Sequence, residues 1–220
     1  MIKIIKIRGL LRFSKNGKYL KTQNGSLLSV KRIKHAKCLV DEFYIEKKLK
    51  DPYSLVSLSY FSCDLDEKNV EQIKKKILEF INFDFVLYRC FDDIELITLM
   101  EKKFSKFVDK FNDLFNLNFI KVKKISDYNN VESLSFKKYL NKLDNFHLTT
   151  LYKLSLLTKS VILSYFFMNK KIDYNTLFKL SNLEYTYQQK RWGVVEEQKA
   201  IDKNFLEIIK NISIFLKNIN

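Results

Sequence analysis

Few residues in this 220-residue chain could do chemistry by type and spacing. Two carboxylate pairs stand out, Asp92-Asp93 and Glu196-Glu197. Paired carboxylates can divide general-acid and general-base work when they converge on one point. Neighbours in sequence diverge on a helix, however, so both pairs read as acidic decoration of helix N-termini, where the dipole favours negative charge. His35 and Cys38 are three apart on a predicted helix, a spacing that could supply two metal ligands. No second ligand pair accompanies them, and the other histidine, His147, is far along the chain. Four glycines cannot build a phosphate loop, and neither a GxSxG elbow nor an HExxH pair occurs. The expectation is a protein that is not an enzyme and needs no cofactor or metal.

The stretch Tyr187–Gln198, YQQKRWGVVEEQ, carries a different chemistry. It holds the only tryptophan, Trp192, and the only glycine after Gly25, Gly193, followed at once by Glu196 and Glu197. On a helix Glu184, Gln188 and Trp192 recur at i, i+4 and i+8, along one stripe. Gly193 then permits a helix stop. One reading is a buried Trp at a helix–helix corner with acids capping the next helix. The other is a recognition corner, since aromatic anchors flanked by charge are typical of protein interfaces.

The formal net charge is +15, and residues 1–50 alone carry fourteen Lys or Arg against three acids. Such an excess suggests an anionic partner. Only five of the cations are Arg, the residue that reads guanine and clamps phosphate. The Lys-, Asn-, Ile- and Phe-rich composition fits a genome-wide bias equally well. Cys38, Cys63 and Cys90 form no CxxC and leave one unpaired, which suggests buried thiols in a reducing compartment. The most apolar run, SVILSYFFM, is about half of what a bilayer requires. These features predict a cytoplasmic protein without membrane insertion.

The elements that must position these residues fall into two parts. Asn16-Gly17 and Asn24-Gly25 are hairpin signals with both turn residues at positive φ. They predict strands near 9–14, 18–23 and 26–30. From Lys31 a helical period places Ile33, Ala36, Val40, Phe43 and Tyr44 on one face. Two further helices follow, the second with a stripe of Val70, Ile73, Ile77 and Phe80. FDFVLYRC (83–90) reads as a last strand. Beyond it come a long amphipathic helix after Asp92, a short extended piece at LNFIKVKK, and a helix in NVESLSFKKYLNKLD. HLTTLYKLSLLTKSVILSYFFM reads as one central buried helix, and two more complete the chain. The fold class is α+β: an antiparallel sheet domain with helices over residues 1–90, then an all-helical domain over 91–220.

Read as an ordered set, these motifs resemble the ATP-twelve family of ATP-synthase assembly chaperones. LEYTYQQKRWGVVEE is similar to the family signature L-[DE]-x-x-x-Q-x-x-x-W-G-x-x-E-E at Leu183, Glu184, Gln188, Trp192, Gly193, Glu196 and Glu197. FDFVLYRC resembles its T-D-L-x-x-Y-R segment at Asp84, Tyr88 and Arg89. The hairpin NGKYLKTQNGSLLSV matches at Gly17, Leu20, Lys21 and Thr22, and Ser160 matches in the helix before the signature. Phe43 stands where the family has Trp, FSK (104–106) where it has Trp-Asp-Pro, and YSLV (53–56) where it has M-P-L-T.

The resemblance implies a monomeric, non-enzymatic chaperone for the newly made alpha subunit of the F-type ATP synthase catalytic head. It would shield the surface later covered by the beta subunit and leave when the hexamer forms. Glu184, Gln188, Trp192, Glu196 and Glu197 would contact the partner. Phe43, Gly17, Gly25, Gly193, Arg89 and Asp84 would be structural. Trp192 is expected to be mostly buried, and Phe43 to fill a core position under the sheet. The alternative from another class is a basic nucleic-acid-binding module built on the first fifty residues.

Overall fold

The structure, a computed structural model, describes residues 1–124 and 126–220. It is α+β, with an N-terminal antiparallel sheet followed by helices. Contacts divide the chain into two compact units. The first gathers Met1–Glu71, Leu143–Thr150 and Lys210–Asn220; the second gathers Gln72–Lys142 and Leu151–Ile209. The sequence division near residue 90 is a coarser reading than this contact division, which returns two C-terminal segments to the first unit.

In the first unit the sheet is built on β2 (Leu10–Lys15). β1 (Ile2–Ile7) pairs with it from Ile2↔Lys15 to Ile7↔Leu10. Two short strands, β3 (Lys18–Tyr19) and β4 (Ser29–Val30), also pair with β2. The β1–β2 turn is Arg8-Gly9 (φ 49° and 78°) and the β2–β3 turn is Asn16-Gly17 (φ 53° and 78°). Both match the twist of flanking strands because both central residues are left-handed. Asn24-Gly25 differs from expectation: of the two, only Gly25 is at positive φ (87°). There Gly25 N–H donates to Thr22 O and Thr22 N–H to Ser26 O, a longer loop in which one glycine suffices.

β1 is a strand that the turn signals did not predict, and the expected strands 18–23 and 26–30 shrink to two residues each. The helix expected from Lys31 stops early. α1 (Ile33–Glu42) buries His35, Ala36 and Leu39, while Ile33 and Tyr44 are exposed. α2 (Glu46–Lys50) is a separate turn. Phe43 is half-buried between them, its ring 6.4 Å from fully buried Phe13 of β2 and 6.2 Å from Tyr60. α3 (Leu55–Asp64) begins at Ser54, whose Oγ accepts from Ser57 N–H at 3.1 Å. A hydroxyl cap thus occupies the position of the family pattern's proline. α4 (Glu67–Phe80) runs on from this unit into the second along the chain and buries Ile73 and Ile77.

In the second unit the expected strand FDFVLYRC is instead two 3-10 turns, Ile81–Phe83 and Phe85–Leu87. What remains of sheet character is one bridge, Tyr88↔Val122. α5 (Ile94–Phe115) is capped by Asp93, which accepts from Glu95 and Leu96 N–H at 3.0 and 3.2 Å. Its inner face is aromatic; Phe111 and Phe115 pack with Phe136 of α6 (Leu134–Leu140) at 5.2 and 5.0 Å. The single buried helix expected next is two: α7 (Asn145–Thr158), whose first residues to Thr150 belong to the first unit, and α8 (Val161–Met168). Lys159 turns left-handed (φ 56°), and Ser160 caps α8 by accepting from Leu163 N–H. α9 (Tyr174–Ser181), α10 (Leu183–Trp192) and α11 (Glu196–Ile219) complete the chain.

Candidate functional site

The distinctive surface is the corner from α10 to α11. α10 ends because Gly193 takes φ 92°, ψ 167°, a conformation that L side chains rarely adopt. α11 then opens on Glu196 and Glu197, in its first turn as the sequence implied. One carboxylate holds the corner. Asp202 accepts from Gln198 Nε2 at 2.8 Å and Asn182 Nδ2 at 3.4 Å through Oδ1, and from Gln189 Nε2 at 3.2 Å through Oδ2. Three amides from the start of α10, its last turns and the start of α11 meet on one acid. A second tie runs to α5. Tyr187 hydroxyl donates to Asp93 at 2.9 Å and to Glu95 at 3.1 Å, and Arg191 pairs with Asp93.

On this fixed corner Trp192 is 71% exposed, against the expectation of burial. Trp is on average among the more buried residue types. Here the helix ends at Trp192 itself, and the Arg191 guanidinium lies 5.8 Å from its ring centroid. Val194 and Val195 follow it on the surface at 51% and 62%. The result is an exposed aromatic–aliphatic patch, the kind that marks interaction sites. Glu184 and Gln188, earlier on α10, are half-buried, with Gln188 Nε2 donating to Glu184 Oε1 at 3.2 Å. Glu196 is spent locally on Lys199. Glu197 is exposed and, among the described residues, meets no cation.

The remaining marked residues lie elsewhere. Asp84 is wholly buried; its carboxylate accepts from Val86 N–H at 3.1 Å and Ile162 N–H at 2.9 Å, at the start of α8. Burial pushes its pKa up to about 6, against hydrogen bonds from Ile162, Ser160, Val86 and Val161 that favour the charged form. Arg89 is buried too. It donates to Val86 and Tyr88 carbonyls at 2.8 and 2.7 Å, and its guanidinium sits 5.5 Å from the Phe104 ring. Glu101 lies 3.6 Å away, and burial lowers the Arg89 pKa. Gly17 and Gly25 sit at the positive-φ turns described above.

His35 is a core residue. Its Nε2 is 3.0 Å from Ser59 Oγ, and Phe146 and Phe215 meet its ring edge-on at 5.9 and 5.6 Å. Burial lowers its pKa to about 4, so it is neutral at physiological pH. Cys38 Sγ instead faces Asn218. Among the described residues no three His, Cys, Asp or Glu side chains gather to hold a metal ion.

Comparison with known proteins bears on the fold. Residues 13–112 match the model of the ATP12 chaperone protein family. Over that stretch, a little under half of its length, the chain is similar to the ATP12 chaperone family. Its fold is that of Atp12 from Paracoccus denitrificans, at TM-score 0.84 and 19% identity, covering all of this chain and 96% of that one. A mutant of the same Paracoccus protein matches at TM-score 0.85 and 19% identity, covering all of this chain and 95% of that one. A protein of Agrobacterium tumefaciens matches at 0.82 and 20%, covering all of this chain and 84% of that one. No curated protein sequence matches. Against the ATP12 pattern, Phe104 stands at the Trp of Trp-Asp-Pro, fully buried and packed on Phe85 at 5.3 Å. Lys106, at the proline, leaves α5 continuous through that point.

Sequence reasoning missed the Asp202 clip and the Tyr187–Asp93–Arg191 tie. Gln198 and Asp202 are at i and i+4, a spacing that brings side chains together on a helix. Nothing in the sequence joins residue 93 to residue 187.

Proposed function

We propose that this chain is an ATP12-type assembly chaperone for the unassembled alpha subunit of the F-type ATP synthase catalytic head. It shields an apolar interface of that subunit and releases it when the hexamer forms, acting in the bacterial cytoplasm as a monomer, without catalysis or cofactor. An unassembled ring subunit exposes surface prone to aggregate, and covering it requires area and complementarity. The observation that carries this reading is the exposed corner, Trp192-Gly193-Val194-Val195, followed by Glu196 and Glu197. Apolar side chains would anchor the client, and the carboxylates would fix its register. Glu197 is the stronger contact because Glu196 is already paired with Lys199.

The test is co-expression with the organism's own alpha and beta subunits, each alone. Alpha subunit should become soluble and co-purify; beta should not. Glu197→Gln should cut soluble alpha yield more than Glu196→Gln, with melting temperatures unchanged. Full rescue by the double Gln variant would remove the glutamates from recognition. Failure of the unaltered chain to hold either subunit would remove the function itself.

A further inference from the structure

Behind the corner, α10 and α11 diverge into a groove of about 320 Å3. Phe205 and Ile208 of α11 form apolar walls with Leu157 at the end of α7. Tyr185 and Ile201 stand at its mouth, 46% and 59% exposed. Tyr185 and Trp192 are seven apart on α10, and so on one face of that helix. Ile201, Phe205 and Ile208 recur at i, i+4 and i+7 on α11, so they too share a face. Groove and corner are therefore presented by the same two helices.

The charges at the mouth are informative. The chain carries +15 overall, yet Glu184 lines the groove with only an amide, Gln188, on its carboxylate. Glu197 lies beyond, also without a cation among the described residues. Among the described residues the one cation lining the groove is Lys159, in the α7–α8 break. A basic protein that leaves Glu184 without a cation in the lining of an apolar slot is complementary to an apolar side chain followed closely by Lys or Arg.

We propose that this groove is the anchor pocket of the client site. It takes a large apolar side chain of the alpha subunit, from a segment whose neighbouring basic residue pairs with Glu184. The inference rests on the corner being the client surface, and it adds the part that buries an anchor. A flat exposed patch supplies contact, whereas a desolvated pocket supplies most of the affinity of a typical interface.

Ile201→Glu tests it, because Ile201 is exposed enough to leave the fold intact. Alpha-subunit affinity should fall at least tenfold with an unchanged melting temperature. Glu184→Lys should weaken binding as well. A photo-crosslinking residue at 201 should capture an alpha-subunit peptide containing an apolar residue next to Lys or Arg. Unchanged affinity in Ile201→Glu, alongside a loss in Trp192→Ala, would overturn the pocket and leave the corner standing. No binding by the unaltered chain would overturn both. If Ile201→Glu lowers the melting temperature, Ile201→Ser and the crosslink decide, and a crosslink absent at 201 but present at 195 overturns the pocket.

Discussion

At the scale of single residues, Trp192 and His35 show how burial decides role. An exposed Trp contributes little to folding, so Trp192→Ala should leave stability within about 0.5 kcal/mol of the unaltered chain. The same change should reduce soluble alpha subunit in co-expression. A large drop in melting temperature would mean that the ring packs more than its exposure indicates. His35 gives the opposite case. Its pKa is about 4 folded against 6.5 unaltered, so between those values the unfolded chain binds more protons. Its stabilising effect is complete above pH 6.5 and is lost as pH falls toward 4. His35→Gln can keep a hydrogen bond to Ser59 while removing the titration. Urea unfolding at pH 7 and near pH 4.5 should show the unaltered chain losing about 2 kcal/mol more than the variant. Equal losses would show that another group carries the acid sensitivity.

At the scale of elements, hydrophobic period located most helices, and specific caps explain where it failed. The 3.6-residue period found α4, α5 and α11 because each has one apolar face. It could not see the α7–α8 break. Both helices are apolar nearly all round, and the only local marks are a left-handed Lys159 and the Ser160 cap. β1 escaped because Ile2, Ile4, Ile5 and Ile7 do not alternate strictly, and its turn is Arg8-Gly9, not Asn-Gly. FDFVLYRC reads as a strand by sequence because short apolar runs look alike in either state. Asp84 settles it, since its carboxylate ties Val86 and the start of α8 together. Asp84→Ala strands two buried N–H groups and should cost about 2 kcal/mol at pH 7. The sign of the pH dependence is distinctive. With a folded pKa of about 6 above an unfolded 3.8, Asp84 favours the folded state more as pH falls. The gap between the unaltered chain and the variant should therefore widen between pH 7 and pH 4. A gap that narrows would mean that the carboxylate, not the acid, is the stabilising form.

At the scale of the whole molecule, the question is whether the charge or the corner chooses the partner. The sequence pI is about 9.5, and the cations are mostly lysines. No helix among the described residues is long and apolar enough to cross a membrane. Lysines spread over a surface bind any polyanion by releasing counterions, and such binding weakens steeply with salt. An apolar anchor with one or two carboxylates behaves differently. Its burial term is indifferent to salt, and its ion pairs lose only part of their strength to screening. The two modes separate in one titration. RNA binding should fall by about a hundredfold or more between about 0.05 M and 0.2 M salt, while alpha-subunit binding should change by less than about fivefold. Trp192→Ala should weaken the salt-resistant binding and leave the RNA curve where it was. Were RNA held tightly at the higher salt and alpha subunit released, the basic first fifty residues would be the working surface and the corner an ornament of the fold.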